Sequence, residues 1–132
     1  MPEPERWLEL ADEDIRMAEY ALAQGIYRQA CFHSQQAVEK ALKGFLDARV
    51  GNHPRSHSLE EVLLYHESVR EELKHRRADC RTLDLFYLPT RYADALPGLL
   101  PEGASAPQEA ESAVRVAKDM VGEIRRKMGG RP

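Results

Sequence analysis

The sequence predicts an all-α fold: an antiparallel up-and-down bundle of four to five helices, with one long Pro/Gly-rich loop before the last helix. Three observations predict it. Apolar residues return every three or four positions and nowhere alternate strictly by two, which is the period of a helix and not of a strand. Ser-x-x-Glu signatures of helix starts occur twice in the middle of the chain. Prolines and glycines gather between the periodic stretches.

In the first segment Trp7, Ala11, Ile15, Ala18 and Leu22 share a face, and Gln24-Gly25 closes it. The second, from about Tyr27 to Val50, carries two adjoining stripes: Ala30, Ser34, Ala37, Ala41, Phe45 and Ala48, then Cys31, Val38, Leu42 and Leu46. A helix apolar over so wide an arc packs on neighbours from two sides, which makes it the central helix. Gly51 to His57 is turn chemistry, and Ser58-Leu59-Glu60-Glu61 reads as a capping box opening a short helix with Leu59, Val62, Leu63 and Leu64. A second box, Ser68-Val69-Arg70-Glu71, predicts a kink near Glu67 and a fourth helix that buries Val69, Leu73, Cys80, Leu83 and Tyr87 and ends at Pro89. Three prolines and two glycines forbid a regular helix from there to Ser105. The last helix starts at Ser105-Ala106-Pro107, buries Ala110, Ala113, Val114, Ala117, Val121, Ile124 and Met128, and stops at Gly129-Gly130.

Residues 1–132 read as a single domain, since an independent core needs on the order of 100 residues. With 42% hydrophobic and 31% charged residues and a net charge of −3, the chain is neither disordered nor a basic nucleic-acid coat, so any nucleic-acid site must be a local patch. Its two cysteines, Cys31 and Cys80, fall in apolar helical patterns and support neither a disulfide framework nor a zinc site. With no basic-then-apolar leader and no apolar run near the ~20 residues of a membrane span, a cytoplasmic location and no membrane partner are expected.

The run Ala30-Cys31-Phe32-His33-Ser34-Gln35-Gln36-Ala37-Val38-Glu39-Lys40-Ala41-Leu42-Lys43-Gly44, then His57-Ser58-Leu59 and Thr90-Arg91-Tyr92-Ala93-Asp94-Ala95, resembles the HEPN domain (higher eukaryote and prokaryote nucleotide-binding) over roughly residues 6 to 127. The resemblance implies an all-α bundle that dimerises, binding of nucleotides or RNA, and partnership with a minimal nucleotidyltransferase in toxin–antitoxin pairs. It marks Gln36, Glu39, Lys40, Lys43 and His57 as family-motif residues. Many members are metal-independent ribonucleases that use an Arg, four to six residues, then His, late in the chain. This sequence departs there: Leu96, Pro97 and Gly98 stand at those distances from Arg91, and no histidine follows His75. Literal matches occur earlier, Arg28 with His33 and Arg70 with His75, and these are the candidate catalytic pairs.

For binding, Arg70, Lys74, Arg77 and Arg81 recur at i, i+4, i+7 and i+11, a stripe about 110° around the fourth helix from its apolar face. Guanidinium groups bind phosphate bidentately, so the row suits a nucleotide or RNA; it equally suits a solvated face paired with Glu67 and Glu71. Arg76 falls on the apolar face and requires a carboxylate or a subunit interface. Arg91 and Tyr92 offer a cation for phosphate and a ring for a base, with Asp94 to orient Arg91 or accept from a ribose; they equally suit a local Arg91–Asp94 ion pair with Tyr92 packing the loop on the bundle. Glu39 and Lys43 form an i, i+4 pair, beside Gln36 and Lys40. His53, His57 and His66 lack a local carboxylate set for a metal, and no P-loop, GxGxxG or glycine-framed serine implies a cofactor or nucleophile. Three functions stay open: a nucleotide- or RNA-binding module with a partner, a ribonuclease toxin, and a non-catalytic helical adaptor.

Overall fold

The computed structural model describes residues 3–91 and 106–129, and these residues are helical apart from short connections. Helix α1 spans Pro4–Ala23, α2 Tyr27–Val50, α3 Leu59–Leu64, α4 Glu67–Leu73, α5 Arg77–Arg91 and α6 Pro107–Lys127, with a single 3-10 turn at Lys74–Arg76 between α4 and α5. The expected all-α bundle is what forms. Residues 92–105, the Pro/Gly-rich stretch with Tyr92, Asp94 and Ser105, lie outside the described residues.

Helix α2 is the axis of the bundle, as its two adjoining apolar stripes predict, and every other α-helix packs on it. Phe45, Leu42, Leu46 and Val38 are fully buried along it. Each such large side chain contributes about 1.5–3 kcal/mol of apolar transfer. Gly51 stops the helix in the left-handed region at φ 83°, its N–H donating to the Asp47 carbonyl at 3.0 Å. The α1–α2 contact is the most extensive in the molecule, and small residues make it close: Ala11, Ala18 and Ala21 face Ala30, Ala37 and Ala41 in one continuous core. The helices approach closely at Gly44, where an added Cβ would sit 2.7 Å from Trp7 Cβ and 3.2 Å from the Pro4 carbonyl oxygen.

Four local expectations change. At α3, Ser58 Oγ accepts the Glu61 N–H as a capping box requires, but the Glu61 carboxylate takes the Ser56 hydroxyl (2.6 Å) instead of the Ser58 amide, which donates to Ser56 Oγ (3.0 Å). Helix α4 is capped by His66, whose Nδ1 accepts the Ser68 N–H at 3.1 Å, so Ser68 is inside the helix and not its cap. The fourth predicted helix is two helices, broken at Lys74–Arg76. Helix α5 then passes through Pro89 to Arg91. The proline removes one N–H, and the carbonyl that loses it belongs to Leu85, an exposed residue of α5, where an unpaired carbonyl costs little.

The 3-10 break has a partner on α6. His75 Nε2 lies 2.7 Å from Glu123 Oε2, and Arg76 Nε donates to Glu123 Oε1 at 2.8 Å, with Arg76 Nη1 also donating to Asp79 at 3.1 Å. Arg76 thus has the carboxylates its apolar position demands. Burial pushes the Glu123 carboxyl up, but the Arg76 and His75 hydrogen bonds and charges together outweigh it and hold the group below its usual 4.5.

Gly44→Ala is expected to lower stability by about 1–3 kcal/mol, since α1 must move off α2 to admit the methyl group; urea unfolding measures it. Glu123→Gln is expected to lose about 1–2 kcal/mol at pH 7. Because the folded pKa is depressed, that contribution is full above pH 4.5 and falls away as the pH drops through the folded value. The two unfolding curves should therefore differ at neutral pH and converge in acid.

Candidate functional site

Where α2 meets the turn before α3 and the C-terminal half of α5, four of the five family-motif residues come together. Glu39 is 6% exposed and Lys43 7%. Lys43 Nζ donates to Glu39 Oε2 at 2.9 Å, and His57 Nδ1 lies 3.0 Å from the same oxygen. A carboxylate only accepts, so Nδ1 carries the hydrogen and Nε2 faces away from Glu39. Gln36 Nε2 donates to Glu39 Oε1 at 3.4 Å and to Gln35 Oε1 at 2.8 Å, while Gln35 Nε2 donates to the His57 carbonyl at 2.8 Å. His57 is thus gripped by backbone and by ring from one helix.

Its ring is also stacked. The His57 and Tyr87 centroids are 5.2 Å apart with planes 18° from parallel, and Tyr87 in turn stacks on Phe32 at 6.3 Å and 21°. Phe32 meets His33 edge-on at 5.4 Å. The His57 side chain is 52% exposed, so the row ends in a half-exposed ring. Asp84 fixes the register of the turn: it accepts from the Leu59 N–H (2.7 Å), the Glu60 N–H (3.2 Å) and Ser58 Oγ (3.0 Å). Arg91 stands one helical turn beyond Tyr87, where α5 ends.

The fifth motif residue, Lys40, lies elsewhere. It donates to Asp14 Oδ2 (2.5 Å), and His33 Nδ1 lies 2.9 Å from Asp14 Oδ1. Asp14 is a buried acid on the inner face of α1, held by two residues of α2.

Neither Arg/His pair is joined by a hydrogen bond. Arg28 is exposed at the start of α2 while His33 turns to Asp14, and five helical positions set them about 140° apart. His75 holds Glu123, and Arg70 belongs to the helix before the break, with its buried Nε unpartnered. The basic row is also divided. Lys74 bonds Glu71 (3.3 Å), Arg77 reaches Glu60 (2.7 Å), and Arg81 lies 3.9 Å from Glu60. Carboxylates therefore offset much of its charge, and the break takes Arg70 off the α5 face. His53, His57 and His66 go to three different places: Asp47, Glu39 and the α4 cap. Burial pushes both the Cys31 and Cys80 thiols up to about 12, so neither is a nucleophile at neutral pH.

Gln35, Phe32 and Asp84 complete the site and were not singled out from the sequence. Gln35 and Phe32 lie within the motif string itself, which was the available signal. Asp84 has no local signal, because its partners are 24 to 26 residues away in the chain.

A family model for the HEPN domain matches residues 4–127. Among solved structures, ST0689, an archaeal HEPN homologue, superposes with a TM-score of 0.77 at 28% identity, covering 97% of this chain and 99% of that one. TT1696 from Thermus thermophilus gives a TM-score of 0.78 at 34% identity, over 96% and 99%. No curated protein shows a significant match. With the matched region running from the first turn of α1 to the end of α6, and the motif residues Gln36, Glu39, Lys43 and His57 gathered at one site, this chain belongs to the HEPN domain family.

Proposed function

We propose that the protein is a binding module for a nucleotide or RNA, working as a homodimer in the cytoplasm beside a minimal nucleotidyltransferase in a toxin–antitoxin-like pair. The observation that carries the ligand reading is the half-exposed His57 ring, stacked on Tyr87 and held by Glu39. A flat ring whose rotamer is fixed by a buried carboxylate loses little freedom when a base stacks on it, and base–aromatic stacking contributes about 1–3 kcal/mol per base. Arg91 is the last residue of α5 and Tyr92 and Asp94 follow it in the sequence, so the reading keeps Arg91 as a cation for phosphate, Tyr92 as a second ring and Asp94 as their partner. The basic row of Arg70, Lys74, Arg77 and Arg81 takes a secondary part, because Glu60 and Glu71 already occupy much of it. The ribonuclease reading, on Arg28 with His33 or Arg70 with His75, draws no support from the geometry, in which both histidines face carboxylates.

Thermal melts with ATP, AMP and a short single-stranded RNA test this, since a ligand of the native state must raise the melting temperature. His57→Ala is expected to weaken binding about tenfold, and Tyr87→Phe, which keeps the ring, to leave it within about twofold. Absence of any shift at millimolar ligand rejects the binding reading. RNA cleavage in EDTA that His33→Ala or His75→Ala abolishes would establish the enzyme instead.

A further inference from the structure

The row of rings lies along α2, and an arginine without a carboxylate stands at each end of it. Arg28, Phe32, Gln35 and Glu39 recur at i, i+4, i+7 and i+11, so Arg28 heads the stripe of α2 that carries the site. That helix has four basic side chains. Lys40 holds Asp14, Lys43 holds Glu39 and Arg49 holds Glu72, whereas the exposed Arg28 makes no ion pair among the described residues. The first turn of α2 has no acid to neutralise it.

Arg55 stands at the other end. The turn from Gly51 to Ser58 runs back along α2, because His53 pairs with Asp47 and His57 with Glu39, eight residues nearer the start of the helix. Arg55 is midway between those two anchors in the chain, on the far side of His57 from Phe32. It is exposed and makes no ion pair among the described residues. The acids that follow it are engaged elsewhere, Glu61 by Ser56 and Glu60 by Arg77 and Arg81. The carboxylates beside the rings are occupied too: Glu39 by Lys43 and His57, Asp84 by two backbone amides and Ser58. Negative charge in the row is therefore held from within, while both end cations are left to a ligand.

The spacing of those cations decides what that ligand is. Eleven residues of α2 separate Arg28 from Glu39, about 16 Å along the axis, and Arg55 lies farther still. The phosphate of a single nucleotide reaches one of the two arginines and not both. A strand whose phosphates repeat about every 3.4 Å when stacked covers the distance with about five to seven nucleotides, and an extended one with fewer. We propose that the site takes a single strand of RNA laid along α2, with Arg55 and Arg28 each holding a phosphate on either side of a base stacked on His57. This rests on the reading of His57 as a base platform and adds the path and length of what lies on it.

The probe is a fluorescein-labelled RNA octamer of mixed sequence, followed by anisotropy on the full chain at several salt concentrations, with AMP as competitor. The octamer should bind at least about tenfold more tightly than AMP, since it alone engages both arginines. Arg28→Ala and Arg55→Ala should each weaken the octamer about fivefold and lower the slope of log K against log salt by about 0.7, the share of one phosphate contact on a single strand. Arg16→Ala removes an equally exposed arginine from α1, and should change binding by less than about twofold with the slope intact. Circular dichroism confirms that each variant is folded. AMP binding as tight as the octamer, or an effect of Arg16→Ala equal to those of the two row variants, overturns the strand path and leaves the His57 platform standing. No binding of either ligand overturns both.

Discussion

Where every other helix packs on α2, its inward polar groups have no water to turn toward, and the helix carries Ser34, Gln35, Glu39 and Lys43 within its buried surface. Each must find a partner inside the protein or cost several kcal/mol. Ser34 solves this locally, donating to the Ala30 carbonyl at 2.7 Å. Lys43 pairs with Glu39 one turn back on the same helix, while Gln35 and Glu39 reach out, Gln35 to the His57 backbone and Glu39 to the His57 ring. The need to satisfy one helix thereby sets where the 51–58 turn runs, where α3 begins and which way His57 faces. The exposed chemistry of the site follows from the desolvation of the groups beneath it.

The same requirement acts on an adjoining face of α2. Asp14 is a lone acid on the inner side of α1, and it is tolerated there because His33 and Lys40 close on its two oxygens. At the end of α2, Asp47 accepts from Trp7 Nε1 (2.9 Å) and pairs with His53 (2.8 Å), so the entry of α1 and the exit of α2 share one carboxylate. Three acids, Asp14, Glu39 and Asp47, each join α2 to a segment distant in sequence. Apolar packing supplies most of the stabilisation; these pairs supply the registration between helices.

The all-α architecture was legible in the sequence because it depends on period, and period is local. The α2 arc, the Ser58 cap and the Pro107 start could be placed from a few neighbouring residues. What was hidden depends on contacts between distant parts of the chain. The break at Lys74–Arg76 reflects a grip on Glu123 some 47 residues away, and no residue between Ser68 and Tyr87 is a proline or glycine that would announce it. The cap at His66 was missed because a ring nitrogen substitutes for the expected hydroxyl. In the site, the family motif identified Gln36, Glu39, Lys43 and His57 as important without giving their roles. The basic row shows the converse: correct in its spacing, it loses meaning once Glu60 and Glu71 are placed beside it.

The capping of α3 from a distance gives this small fold an unusual dependence. Six residues are too few to hold a helix in water unaided. Here the first amides of α3 are held by a side chain of α5, and the Ser58 hydroxyl is shared between Asp84 and the Glu61 amide. The short helix is therefore an appendage of α5 in energetic terms, although α4 and a 3-10 turn separate them in the chain. Asp84 thereby fastens the turn that carries His57 to the helix that carries Tyr87, so both ends of the stacked ring pair are set by one carboxylate.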